Sequence, residues 1–340
     1  MSNPTVSFTI ADIFSTTPFR GNPLAIVNNT QNALTTTQMR LLTRQFNLSE
    51  TTFFSPPSQA FPTATYRLRS FLPDGREVFG AGHNILGVWW HLAAAGFLKF
   101  SRPGSTNDGK GVEEYIFHQE LGHQLLPVKI FREKTGGFKV SIRQSPPKFH
   151  GFHPDPDSLA RSIGIETSDI GFLSRKVGEG LKPQVLSTSS THHLFVPISS
   201  VEALNRISVD REKLLQQLRA VNENAYGLYL FTPQSESANE KGVKTYQARF
   251  FSPGMSGEDP ATGSAAGPLS AYLYCHGELE LDDGVGRIRV VQGLSVGREC
   301  FIDVRISKQD GEEGLEVDFE GGGVEVAKGD IAIPGVDVEF

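Results

Sequence analysis

Thr65-Tyr66-x-x-Arg69-x-Phe71-x-Pro73 and Thr245-Tyr246-x-x-Arg249-x-Phe251-x-Pro253 are one nine-residue pattern written twice, each matched pair lying 180 positions apart. The segments after the two copies also correspond. A Gly-rich turn (Gly80 to Gly82; Thr262 to Gly263) leads into a long apolar stretch, closed by Gly96-Phe97 in one copy and His276-Gly277 in the other. Two copies of one unit in 340 residues predict two related lobes, with a ligand cleft between them. A repeat near half the chain length argues against a solenoid, which needs three or more short units.

Length agrees with this reading, since 340 residues exceed what one core usually serves. The expected division is an N-terminal lobe over 1–128, to which the last strand or strands (about 328–340) return, and a C-terminal lobe over 129–327. Hydrophobic content of 38% with 35 Gly and 20 Pro is globular and turn-rich rather than disordered. A net charge of −6 without a basic cluster argues against a nucleic-acid partner, whose phosphates need concentrated Lys and Arg. Cys275 and Cys300 are the two cysteines, which points to a reducing compartment and not to a disulfide framework. Met1 to Ile10 has no basic n-region and Asp12 breaks its apolar run, so a cytoplasmic protein is expected. Val78 to Leu98 has no charged residue and the length of a membrane span. Gly80, Gly82, His83, Asn84, Gly87 and His91 interrupt it, so we expect a buried helix of a globular lobe and no membrane partner.

Periodicity predicts strands at Val6–Ile13, Leu24–Val27, Thr51–Phe54 and Thr65–Phe71, with a turn at Pro18–Pro23. A helix is predicted from the Thr35-Thr36-Thr37 caps through Phe46, and a buried one over about Asn84–Ala95. Gln124–Phe131 and Phe138–Arg143 read as a strand pair, and His150–Asp157 as a Pro-rich loop. The second half reruns the order. Strands are expected at Leu194–Ile198, Tyr226–Phe231 and Lys244–Phe251, helices at Arg211–Ala220 and Ala265–Cys275, then a β-meander from Arg287 to Phe319 and beyond. The class is α+β, a pair of barrels or half-barrels with one buried helix per lobe.

Three features could carry chemistry. Ser49-Glu50-Thr51-Thr52-Phe53 puts a carboxylate at a helix–strand junction beside phenylalanines. Desolvation there raises its pKa and suits it to general acid/base work, whereas the plainer reading is a solvated Glu. Gly80-Ala81-Gly82-His83-Asn84 and Pro260-Ala261-Thr262-Gly263-Ser264 each open a helix, where free N–H groups and small residues form an anion site. For one such turn alone, helix packing is the better reading of the glycine; the duplication favours a ligand. Glu258-Asp259 and His83 are the third feature, of interest because the repeat brings them towards the same cleft as Glu50.

Other patterns fail. Gly104 to Gly111 nearly spells a P-loop, but Gly111 replaces the required Ser or Thr, and a surface loop is expected. His118 and His123 are not at zinc-helix spacing, and His150, His153, His192 and His193 lack a third ligand nearby, so no metal is expected. Gly80-x-Gly82 lacks the rest of a dinucleotide fingerprint, and there is no G-x-S-x-G elbow.

Pro18-Phe-Arg-Gly-Asn-Pro-Leu-Ala-Ile-Val27, Asn47-Leu-Ser-Glu-Thr-Thr-Phe53, Ala81-Gly-His83 and Glu258-Asp-Pro-Ala-Thr-Gly-Ser-Ala-Ala-Gly267 resemble the phenazine-biosynthesis PhzF-like family of the diaminopimelate epimerase fold superfamily. The resemblance implies two pseudo-symmetric lobes, each a barrel around a central helix, a site between them, no cofactor and a homodimer. It carries the general acid/base role to Glu50, the active-site histidine to His83 and the aspartate to Asp259. Substrate-binding roles fall on Asn22, Gly82, Thr262, Gly263 and Ser264. Cysteine-dependent relatives carry a thiol in each turn; here Ala81 and Thr262 stand there, so a two-thiol racemisation is not expected. The expected activity is a cofactor-independent isomerisation, by an allylic or keto–enol proton shift, of a small carboxylated metabolite. The alternative is an anion-binding or scaffold protein without turnover. The usual Gly-His-Pro of the family is Gly82-His83-Asn84 here, which could reshape the pocket wall.

Overall fold

The structure, a computed structural model, describes residues 4–80, 82–101, 103–107, 112–174, 178, 180–189, 191–234, 243–255, 257–308 and 314–340. The first part of the chain forms β1 (Thr5–Ile13), β2 (Asn22–Asn28), α1 (Thr36–Phe46), β3 (Thr51–Ser55), β4 (Tyr66–Phe71), β5 (Glu77–Val78), α2 (His83–Ala94), β6 (Ser105–Asn107), β7 (Val112–Leu121), β8 (Gln124–Arg132) and β9 (Phe138–Gln144). It continues as β10 (Lys148–Phe152), α3 (Pro156–Ile163), β11 (Gln184–Ser187), β12 (His192–Pro197), α4 (Val201–Arg206), α5 (Arg211–Val221), β13 (Gly227–Pro233), β14 (Lys244–Phe251) and α6 (Gly263–Cys275). β15 (Val285–Gln292), β16 (Cys300–Lys308), β17 (Leu315–Gly321) and β18 (Gly323–Ala332) complete it.

Two compact units result, one of Met1–Ile142 with Glu320–Phe340 and one of Arg143–Phe319. The sequence reading drew the borders at 128/129 and 327/328. Pairing accounts for the difference. β9 lies antiparallel to β8 from Arg132↔Phe138 to Lys129↔Ser141, which keeps that hairpin in the first unit. β18 pairs with β1 from Ile13↔Gly323 to Thr5↔Ala332, which brings back the chain from Gly323 onward.

Within each unit the same ladder recurs. In the first, β1–β2 is antiparallel, β2–β3 parallel, β3–β4 antiparallel, β4–β7 parallel and β7–β8 antiparallel. In the second, β11–β12, β12–β13, β13–β14, β14–β15 and β15–β16 repeat that alternation. Parallel neighbours need a crossover, and helices supply it each time: α1 and α2 in the first unit, α4 with α5 and then α6 in the second. The protein is a strand-rich mixed α/β fold.

The central helices are apolar all round because strands surround them. α2 packs against β1, β2, β3, β8 and β18, and Gly87 lets β1 and β2 close in: a Cβ there would lie 2.7 Å from both Ile13 and Leu24 side chains. α6 packs against β11, β15 and β16, with Ala265 through Leu273 buried without a break. Neither these nor any other helix among the described residues is long and apolar enough to cross a membrane.

The matched residues of the repeat have a common job. Arg69 grips Glu77 through Nε (2.8 Å) and Nη2 (2.7 Å) while its guanidinium lies 5.0 Å from the Phe71 ring centre. Arg249 grips Glu258 Oε2 through Nε (3.1 Å) and Nη2 (2.8 Å), and lies 5.0 Å from the Phe251 ring centre. Glu258, a chemical candidate in the sequence, is thus engaged by the framework.

Two local readings are corrected. His150–Asp157 is not a loop: it holds the end of β10 and the start of α3. Asp155 caps that helix by accepting the Ser158 N–H at 2.9 Å, and Pro156 stands in its first turn, where the missing amide is no loss. Gly104–Gly111 is not wholly loop either, since Ser105–Asn107 pair with β7; residues 108–111, like Ala81 of the first turn, lie outside the described residues.

Candidate active site

Glu50 is placed by the end of α1. Thr35 and Gln38 form a reciprocal capping box at the helix start. Asn47 ends the helix in the left-handed conformation at φ 51°, and Ser49-Glu50 then turn directly into β3. His83 is the first residue of α2, after the Gly82 N-cap, which has no side chain to occupy the helix end.

These two elements bring Glu50, Ser49 and His83 together. Glu50 Oε2 and Ser49 Oγ each lie 3.5 Å from His83 Nε2. The Glu50 side chain is 22% exposed and that of His83 only 7%. Glu50 Oε2 is itself buried and has no hydrogen-bond partner, the His83 contact being too long to count as one. Burial pushes the Glu50 carboxyl up from its ordinary value, and a hydrogen bond from Ser49 offsets part of the rise. A carboxyl group so placed keeps its proton to a higher pH than an exposed glutamate, which suits it to take up and release a proton in catalysis.

The Asn84 departure has a local explanation. Its Nδ2 donates to Ser70 Oγ (3.1 Å) on β4, and Ser70 is bonded to Thr52 Oγ1 (2.8 Å) on β3. The amide ties the helix start to the strand that follows Glu50. Asn22 is buried at the start of β2 opposite Ile13. Because Ala25 is level with Thr51, Asn22 stands at the same end of this parallel pair as Glu50.

In the second unit, Asp259, Thr262 and Gln292 form one closed network. Thr262 Oγ1 donates to Asp259 Oδ2 (2.6 Å). Gln292 Nε2 donates to Asp259 O (2.8 Å) and Thr262 Oγ1 (3.0 Å), and Gln292 Oε1 accepts the Thr262 N–H (3.2 Å). The single hydroxyl proton of Thr262 is therefore spent on Asp259, so this side chain offers a ligand no donor. The N–H of Asp259 donates to Phe250 O (3.1 Å), which pins the turn to β14. Burial and the Asp259 charge raise the nearby Tyr229 phenol above its ordinary range.

Gly263 and Ser264 are the first two residues of α6, in register with His83 and Asn84 of α2 at the 180-residue spacing. The Gly263 carbonyl accepts from Gln144 Nε2 (3.1 Å), and a Cβ at Gly263 would meet the Phe319 ring at 3.1 Å. Ser264 Oγ lies 3.4 Å from Nε2 of His193, a fully buried residue of β12.

Ser49, Gln292 and His193 were not among the residues read as functional. Ser49 could have been found, since it sits inside the Asn47–Phe53 motif. Gln292 and His193 left no signal, because only the folded chain brings their strands to the α6 turn. Cys275 closes α6, about 18 Å along the axis from Gly263 at 1.5 Å per residue. Cys300 is buried in β16 with its thiol on Arg298 O (3.3 Å), so neither thiol is at a turn. Among the described residues, no group of three His, Cys, Asp or Glu side chains could hold a metal ion.

The strand-rich mixed α/β fold is of the diaminopimelate-epimerase-like class. The chain belongs to the phenazine biosynthesis-like (PhzC-PhzF) family, whose sequence profile matches residues 11–329, and it is an isomerase. It is 28% identical to an uncharacterized isomerase of Clostridium acetobutylicum over 95% of this chain and 96% of the relative. It is 25% identical to the trans-2,3-dihydro-3-hydroxyanthranilate isomerase of Pseudomonas chlororaphis, covering 96% and 99% of the two chains. The crystal structure of a Bacillus anthracis PhzF-family protein superposes with a TM-score of 0.78 at 25% identity, covering 96% of this chain and 99% of that one.

Proposed function

We propose that this isomerase moves a proton between two carbons of a small carboxylated metabolite, with Glu50 as the single acid/base. The observation that carries the reading is the Glu50 carboxyl, buried beside His83 with one oxygen unpartnered and its pKa raised. One carboxylate that removes a proton and returns it to a different carbon on the same face needs no second base. His83 polarises or orients the reacting group, and Asp259 holds the second turn in shape through Thr262. The small-residue starts of the two central helices supply the anion contacts, through the backbone of Gly82 in one and through the backbone of Gly263 with the Ser264 hydroxyl in the other. Asn22 completes the wall on the Glu50 side. By analogy with the Pseudomonas chlororaphis relative, a cyclic unsaturated amino acid carboxylate is the substrate class to try first. The active particle is proposed to be a homodimer, which sedimentation would check.

The test is incubation in D₂O of the protein with trans-2,3-dihydro-3-hydroxyanthranilate and, separately, with a metabolite extract. Mass spectrometry then looks for a one-deuteron gain or an isomer peak. Wild type is expected to give one, and Glu50→Gln to lower the rate by at least about a hundredfold. Undiminished turnover by Glu50→Gln would end the assignment. The second reading, an anion-binding protein without turnover, draws on Asn84 in place of the usual proline; binding without any isomer in either protein would favour it.

A further inference from the structure

We propose that His193 is a positioning residue for Ser264: its Nε2–H donates to Ser264 Oγ, which leaves the serine proton free to point at a substrate carboxylate. This deepens the preceding reading and rests on Ser264 being an anion contact. The geometry begins with the 3.4 Å separation of Nε2 and Oγ, long for a ground-state hydrogen bond and short enough to tighten when a ligand arrives. His193 Nδ1 is buried without a hydrogen-bond partner. A neutral imidazole has one N–H and one lone pair, and the hydrogen bond made at one nitrogen sets which is where. Buried donors are left unpaired more rarely than buried acceptors, so the proton belongs on Nε2, facing Ser264. The ring then donates, and the serine keeps its own proton for another acceptor.

The ring is held as a positioning group must be. The Tyr226 ring stands edge-on at 5.0 Å and the Phe250 ring at 5.1 Å. His193 is level with Gly227 on the parallel neighbour β13, where a Cβ would lie only 2.4 Å from Nδ1, so glycine is what lets the imidazole seat. Phe250 braces both halves of the turn, since its ring packs on His193 and its carbonyl accepts the Asp259 N–H. Burial, with His192 next door, pushes His193 down to about 3, so the imidazole is neutral throughout the working range and supplies a fixed donor rather than a proton.

The first test is nitrogen NMR of the full chain labelled at histidine, with His193 assigned by its loss in His193→Gln. A neutral Nε2–H tautomer that does not titrate between pH 5 and 8, and whose signal moves in Ser264→Ala, is expected. An Nδ1–H tautomer, or a signal unmoved by Ser264→Ala, would overturn the proposal. The second test measures benzoate affinity. Ser264→Ala and His193→Phe are each expected to weaken it about five- to tenfold, the worth of one hydrogen bond, and the double variant to add little. His193→Gln, which keeps an N–H near the place of Nε2, should recover most of the loss and keeps the test decisive if the phenylalanine variant unfolds. Full affinity in His193→Phe beside weak binding in Ser264→Ala would overturn the positioning role alone. Full affinity in Ser264→Ala would instead overturn the anion site on which it rests.

Discussion

Glu50 carries a cost in stability that its chemistry requires. Its ordinary value is 4.5, and burial raises it in the folded chain, so the folded state holds this proton more tightly than the unfolded state. The contribution to stability is complete below the unfolded value and is lost as pH rises through the raised one. Glu50→Gln should therefore melt at a higher temperature than wild type at pH 8, and the gap should shrink towards pH 4.5, as read by paired thermal unfolding. Activity should run the other way: Glu50 must be ionised to remove a proton, so the rate should be lost on the acidic side, with the midpoint of that acidic limb above the usual glutamate range. Much of this was visible in the sequence, where the carboxylate stands next to Phe53 and Phe54. That His83, 33 positions further on, lies towards Glu50 was expected from the repeat, but the 3.5 Å approach of its ring to the carboxyl is fixed only where α2 starts beside the beginning of β3. His193 was further out of reach. Its neighbour His192 drew attention to the pair as a metal candidate, and nothing in their spacing pointed to Ser264.

At the scale of elements, the repeated arginines show how one sequence mark can hide a difference in energy. Both hold a glutamate and lie against a phenylalanine, yet Arg249 and Glu258 are 10% and 4% exposed, while Arg69 and Glu77 are 18% and 21% exposed. Arg249 Nη1 also donates to the carbonyls of Leu204 (3.0 Å) and Ile207 (2.9 Å) at the end of α4. Arg249→Ala would leave a buried carboxylate and two helix-end carbonyls without their partner, and should cost about 3–5 kcal/mol in urea unfolding. Arg69→Ala, in a wetter pair, should cost about 1–2 kcal/mol. Equal losses would show that burial is not what separates them. Strands and helices with clear periodicity were readable, including the α1 caps and both buried helices. β10 and α3 were not, because a proline can mark a loop or the first turn of a helix, and only the Asp155 side chain bond decides which.

For the molecule as a whole, the return of the chain end is the consequential feature. β1 has β2 on one side and β18 on the other, the latter along its full length. Ending the chain at Phe319 should strip β1 of that partner and unsettle the first unit, while the second, which is continuous in sequence, keeps its strands. Hydrogen exchange would show this as lost protection in β1 and β2 with β12 to β16 unchanged; protection surviving in β1 would refute it. The duplication, the class of each central helix and the placement of Glu50, His83 and Ser264 at element starts were all determined by the sequence alone. They come from local pattern, a period of two or 3.6 residues and the chemistry of helix ends. The return of the last strand was also expected, but the tertiary structure alone decided that it begins at Gly323 and runs the full length of β1, that Glu258 belongs to Arg249 and that His193 backs Ser264. Each of these depends on how whole strands and helices seat against one another, and that seating is set by register and burial, which no local pattern encodes.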